Sequence, residues 1–341
     1  MAIGERIKAA RITAGLSQDD LGEKLGITKM AISKYENGGI TPKSGMVIAL
    51  AKALGVNVEY FFRSTSVKLS TPSYRCRKAL PKKEEMRILA KTTEWLERYL
   101  TVEHISGVEK TPGLPGPEHG RVKTVKDIEK VVLRIRKDWN LGLDPIENVM
   151  DALEQHGVKV GEVEAPESFD ALTVWYNDTC PVIIVNSTFP GDRQRYNLAH
   201  ELGHLVLNIE SELDVEMAAH RFAGAFLVPE EMAVLELGAH RNVLDFRELY
   251  VLKHKYGISM AAWIHRATDL GIITQAAANR HWIQLRARGW HKREPEKQVP
   301  TESPTYMKLL LFRAVSEHKI SQSRFAELLG PEHVKSAEPC A

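Results

Sequence analysis

Cysteine is scarce: the 341 residues contain three, Cys76, Cys180 and Cys340. None belongs to a CxxC pair. That excludes a disulfide framework and a thiolate zinc site, and it suits a reducing, cytoplasmic setting. Long apolar runs are also missing. Nothing approaches the ~18 residues of a membrane span. The opening residues, Met1-Ala-Ile-Gly-Glu-Arg-Ile-Lys8, are charged and amphipathic rather than a secretory h-region, so no membrane partner is expected. Excess charge of one sign is absent too. With 46 basic and 44 acidic residues the formal net charge is +2, so any affinity for nucleic acid must come from a local surface. What remains, 43% hydrophobic and 26% charged, is the composition of a soluble globular chain whose length predicts two or three domains.

Periodicity and punctuation divide the chain into four parts. Residues 1–63 read as five short helical pieces. Ile3, Ile7, Ala10 and Ala14 line the first, which Gly15 ends. Ser17 can N-cap a second helix carrying Leu21 and Leu25, and Thr28 a third carrying Ile32 and Tyr35. Pro42 opens a fourth, and a last turn holds Val58, Phe61 and Phe62. Residues 64–121 read as linker and helical segment. The linker, 64–83, is rich in Ser, Thr, Pro and basic residues, helical spacing returns over 84–104, and Thr111-Pro-Gly-Leu-Pro-Gly-Pro117 is an irregular loop. Residues 122–285 mix helical patterns with three β-branched stretches, Val158–Val163, Leu172–Tyr176 and Val182–Val185, which read as strands. Residues 286–341 form a C-terminal helical extension. Its first part, to Pro304, is a polar loop. Its later stretch Ile320-Ser-Gln-Ser-Arg-Phe-Ala-Glu-Leu-Leu-Gly330 echoes residues 16–26, but Pro331 interrupts any recognition helix, so it reads as a packing element.

The second and third helices meet at the three-residue turn Gly26-Ile27-Thr28. Two short capped helices joined this way let the second enter a major groove about 12 Å wide. The groove-facing set is Thr28, Lys29, Met30, Ser33 and Lys34. Gln18, at the start of the preceding helix, can reach a phosphate. The string from Leu16-Ser-Gln18 through Leu25-Gly-Ile-Thr28 to Ser33-Lys-Tyr-Glu-Asn-Gly38 resembles the Xre family, which includes the Cro-type phage repressors. The resemblance covers nearly all of residues 3–62. It implies a double-stranded DNA operator as partner, contacted by Gln18, Thr28, Lys29, Met30, Ser33 and Lys34. A homodimer is one assembly left open.

His200-Glu201-Leu202-Gly203-His204 carries the other chemistry. Histidines four apart lie on one helix face and can share a tetrahedral zinc at about 2.0–2.1 Å. Glu201 beside them can act as base toward water. With 13 His and 32 Glu, such a pentapeptide arises by chance about once in twenty chains of this make-up, so context must decide. A catalytic zinc needs a third protein ligand. Glu216 heads the next apolar helix, whose stripe is Ala219, Phe222, Ala223 and Phe226, and Asp214 and His220 compete with it. Arg193 and Arg195 read as structural arginines at a helix start rather than substrate-orienting groups.

Pro181-Val-Ile-Ile-Val-Asn186 through His204-Leu205, and Glu216-Met-Ala-Ala-His-Arg-Phe-Ala-Gly-Ala-Phe-Leu-Val-Pro229, are similar to the ImmA/IrrE metallopeptidases. The resemblance covers roughly 125–235. It implies Zn²⁺ held by His200, His204 and Glu216, with Glu201 catalytic. His220 stands where that family often has Asn or Asp.

The fold class expected is mainly α with a small β-sheet: a five-helix DNA-binding domain, an α+β zincin-like metallopeptidase domain and a helical C-terminal region. The function expected is a regulator that cleaves a repressor or other protein partner in response to a signal. The alternatives are a non-proteolytic zinc-containing sensor or repressor, and an antitoxin-like partner-binding protein.

Overall fold

The computed structural model describes residues 3–330 except 64–66, 68, 71–72, 77–79, 117 and 211. Two compact units are present, and they are not consecutive stretches of chain. Unit 1 takes the described residues of Met1–Ser70, Cys76–Glu109 and Met307–Ala341. Unit 2 takes those of Thr71–Arg75 and Lys110–Tyr306. The architecture is the expected one, helical with small sheets.

Unit 1 begins with α1 (Ile3–Thr13), α2 (Gln18–Leu25), α3 (Lys29–Glu36), α4 (Ser44–Leu54) and a 3-10 turn, Val58–Phe62. Each boundary has a local cause. Ser17 and Asp20 form a reciprocal capping box at the start of α2, and Gly26, in the left-handed region at φ 67°, closes that helix. Thr28 caps α3 by accepting from the Ala31 N–H. Ile7, Ala10, Leu21, Ile32, Leu50 and Phe61 form the shared core, so the helices are held by what they bury rather than by propensity. The long helix α5 (Lys82–Ser106) packs on α1, fastened by a buried Arg6–Glu97 ion pair.

Unit 2 holds a four-stranded sheet of order β1 (Ser73–Cys76), β4 (Phe169–Tyr176), β5 (Cys180–Asn186), β3 (Lys159–Val163). In it β4 runs antiparallel and β3 parallel to β5. A second, two-stranded sheet pairs β2 (Arg121–Val122) with β6 (Asn208–Ile209). β3 to β5 are almost wholly buried, as their near-continuous apolar runs require. The strand Ser73–Cys76 falls in a stretch that reads as linker. It lacks apolar alternation, and pairing at the sheet edge makes it a strand. The helices of this unit are α6 (Val125–Asp138), α7 (Val149–Gln155), α8 (Gly191–Val206), α9 (Val215–Leu227), α10 (Glu230–Leu237), α11 (Phe246–Tyr256), α12 (Met260–Asp269) and α13 (Gln275–Ala287).

The chain then returns to unit 1 with α14 (Tyr306–Ser316) and α15 (Gln322–Leu329), which bury Leu310, Leu311, Leu328 and Leu329. Ser321 caps α15 as Ser17 caps α2, and Glu327 pairs with Arg63. The helix pair packs against its own unit, as the packing reading expects. Pro331 lies outside the described residues. Among the described residues no helix is long and apolar enough to cross a membrane.

The capping box generates a pH-dependent expectation. The Ser17 backbone N–H, donating to Asp20, holds that carboxyl below its ordinary value of 3.8. A depressed carboxylate stabilises the fold above that value and loses its contribution as pH falls through the lower, folded value. Asp20→Ala should therefore loosen α2 at neutral pH, with the difference from wild type closing in strong acid. Ser17→Ala should cost about 1 kcal/mol, raising amide hydrogen exchange over Gln18–Leu25 about fivefold.

Candidate functional site

The sequence places His200 and His204 one helical turn apart on α8. The fold brings the third group to them. α9 crosses α8 closely, and Glu216 in its first turn reaches both imidazoles. His200 Nε2 lies 3.3 Å from Glu216 Oε2, His204 Nε2 lies 3.3 Å from Glu216 Oε1, and the two Nε2 atoms are 3.0 Å apart. All three ligand atoms fall within 4.8 Å of one another. Bonds of 2.0–2.1 Å at tetrahedral angles would separate neighbouring ligand atoms by roughly 3.3 Å. Two imidazoles and a carboxylate at this spacing therefore fit zinc in donor type and in size. Asp214, the first competitor for the third position, is occupied otherwise, as the N-cap of α9, accepting from the Met217 N–H at 2.7 Å. His220, the second, lies outside the three-residue cluster. Its ring centroid is 4.5 Å from that of His200, and its carbonyl accepts from the Tyr196 hydroxyl.

The close crossing depends on Gly203. A Cβ there would sit 3.1 Å from Phe222 Cδ1 and 3.3 Å from Ala219 Cα. Any larger side chain would push α9, and with it Glu216, away from the histidines. Burial grades across the cluster. The His200 side chain is 0% exposed, that of His204 20% and that of Glu216 64%, so solvent reaches the site from the α9 side.

Glu201 is buried, and the Thr173 hydroxyl on β4 donates to its Oε2 at 2.5 Å. This bond fixes the carboxylate that the sequence nominates as base. Nothing in the sequence marks Thr173, because a β-branched residue in a strand has an ordinary explanation. Behind the motif, α8 is locked from several sides. Asp170 accepts from Arg193 and Asn197. Arg195 pairs with Glu302 and donates to the Ile146 carbonyl. Both arginines are thus engaged in the scaffold. Tyr176 ends β4, half-buried.

In unit 1, α3 presents Thr28, Lys29, Met30 and Lys34 to solvent, with Met30 69% exposed, while Ile32 is buried. Ser33 is half-buried and accepts from the Asn37 side chain. Lys29 pairs with Asp19 across the exposed face. Gln18 is held by Glu36, accepting at 2.7 Å, and Arg11 donates to the same carboxylate. Glu36, a residue the sequence pattern does not single out, fixes where Gln18 sits.

Residues 7–61 match the helix-turn-helix family model, and residues 153–268 match the IrrE N-terminal-like domain. The chain joins an Xre/Cro-type helix-turn-helix to an IrrE-like domain. The His200, His204 and Glu216 cluster lies within the IrrE-like domain, and α2 and α3 lie within the helix-turn-helix. Over 67 residues, 20% of its length, the chain is 37% identical to the uncharacterized HTH-type transcriptional regulator y4wC of Sinorhizobium fredii, covering 47% of that protein. Over 62 residues, 18% of its length, it is 36% identical to YonR, an SPbeta prophage-derived uncharacterized HTH-type transcriptional regulator of Bacillus subtilis, covering 57% of it. The chain thus spans about half the length of these relatives. Against the solved DNA-binding domain of the P22 c2 repressor it is 33% identical over 19% of this chain and 84% of that one, with a TM-score of 0.18.

The helix crossing makes a direct prediction. Gly203→Val should weaken binding of a divalent ion by about 10–100-fold with all three cluster residues intact, as loss of supporting contacts does elsewhere. Competition against a chromophoric chelator measures this. Unchanged affinity would show that α9 need not approach so closely.

Proposed function

We propose that the chain is a DNA-binding transcriptional regulator. Its IrrE-like domain holds one zinc through His200, His204 and Glu216 and hydrolyses a peptide bond in a protein partner, a repressor or similar regulator, in response to a signal. The observation that carries this reading is the spacing of the three ligand atoms, 3.0–3.3 Å apart, beside a glutamate fixed by Thr173.

When bound, zinc supplies Lewis acidity, polarising a carbonyl and making water more acidic. The remaining steps belong to this chain's residues. Glu201 accepts a proton from the attacking water. As the C–O bond forms and the C–N bond breaks, it returns that proton to the leaving amine. Thr173 keeps one Glu201 oxygen oriented, so the second can face the reacting water. The open, Glu216 side of the cluster admits an extended substrate segment. Recognition of an operator rests on α3, with Lys29 and Lys34 set for phosphates and Met30 and Ser33 for base edges. Gln18 anchors the preceding helix. Two functions on one chain would hold the cleaved partner near the operator and raise its effective concentration.

The purified chain should carry about one zinc, lost on His200→Ala or His204→Ala, as elemental analysis would register. Glu201→Gln should keep zinc and DNA binding yet slow partner cleavage by ~10²–10⁴-fold. A signal-responsive reporter that behaves identically in wild type and Glu201→Gln, but fails in His204→Ala, would replace the peptidase with a zinc-dependent sensor. Lys29→Ala and Lys34→Ala should each weaken DNA binding and lower the salt slope by about one, with zinc content unchanged. Gel shifts across a salt series test that.

A further inference from the structure

A cavity of about 280 Å³ lies within unit 1 between α1, the 3-10 turn and α5, away from the exposed face of α3. That volume sits near the lower edge of the ~300–1,000 Å³ typical of small-molecule sites. Ala9, Ile12 and Ala90 give it an apolar wall, and Glu5, Glu94 and Glu97 bring three carboxylates to its lining. Glu97 is the informative one. It is 3% exposed, and its Oε2 accepts from Arg6. Its buried Oε1 has no hydrogen-bond partner among the described residues. A buried carboxylate oxygen facing such a cavity calls for a donor, and a cationic donor satisfies it best.

The cavity is mechanically tied to the recognition helix. A Cβ on Gly4 would overlap the Tyr35 and Glu36 carbonyl oxygens, so the first turn of α1 rests directly on the end of α3. Arg11, further along α1, is ion-paired with Glu36, which also holds Gln18. Packed helices at such distances move as bodies. Whatever displaces α1 from α5 must displace α3 and Gln18 as well.

We propose that this cavity is an effector site for a small organic cation, a primary ammonium on a short apolar body, with Glu97 Oε1 as its acceptor. Binding shifts α1 and lowers affinity for DNA. This builds on the regulator reading and supplies it with a signal of stated chemistry.

The test uses the full-length chain and n-butylammonium, with 1-butanol as the uncharged comparison at matched ionic strength. Calorimetric titration should show saturable binding of the ammonium, about tenfold or more tighter than of the alcohol, as a charge-assisted bond requires. Ala90→Leu fills the cavity without touching the Arg6–Glu97 pair, and it should abolish binding while thermal stability holds. On a duplex selected by the wild-type chain from a random pool, saturating ammonium should weaken binding about fivefold, and Ala90→Leu should be insensitive. No saturable ammonium binding, equal binding of ammonium and alcohol, or equal binding by Ala90→Leu would each overturn the site. Ammonium binding with unaltered DNA affinity would overturn the coupling. Failure to select any duplex would instead refute the regulator reading, a result the calorimetry does not depend on.

Discussion

The approach of α8 and α9 at Gly203 is the contact on which the metal cluster depends. An α-helix can present two imidazoles on one face by spacing alone, but a third ligand must come from a separate segment. Here it arrives because one residue on α8 has no side chain and the facing positions on α9 are Ala219 and Phe222. Glu216 is exposed and would otherwise be an ordinary surface carboxylate. Its placement within 3.3 Å of two histidines follows from backbone packing.

A helix bearing a metal site must also be held in rotation about its own axis. The buried charges around α8 do this. Lys253, fully buried, is shared between Asp192 and Glu294, each at 2.8 Å. Glu302 takes Arg195 and the Val149 and Met150 backbone N–H groups. Buried ion pairs contribute little net stability, but leaving one partner alone is costly, so they penalise other registers. The irregular stretch between α13 and α14 supplies Glu294 and Glu302. It is therefore a structural part of unit 2 despite reading as a polar loop.

Unit 1 uses the same device on a smaller scale. Glu36 collects Arg11 and Gln18, joining α1, α2 and α3 through one carboxylate. Because α14 and α15 belong to unit 1 while following unit 2 in the chain, unit 2 interrupts unit 1. The buried residues of α14 and α15 can join unit 1 only after all of unit 2 has been synthesised.

Local signals were legible wherever the physics is local. Ser17, Thr28 and Gly26 mark helix ends because capping involves residues two or three apart. β3, β4 and β5 show in their β-branched runs, and the two histidines show at i and i+4. The sequence also nominated Glu216, with Asp214 and His220 as rivals, because all three sit within one turn of the same helix. Only the crossing angle and the cap of α9 separate them. Thr173 beside Glu201, Glu36 beneath Gln18, the edge strand Ser73–Cys76 and the cavity under α1 had no linear signature. Each is a contact between segments distant in the chain, and side-chain type carries no information about which distant partner will arrive. By itself the sequence determined the kinds of helix, the motif and the groove-facing set. Tertiary structure decided which third carboxylate meets the histidines and which buried oxygen is left facing a cavity, because those outcomes depend on how closely two backbones can pack.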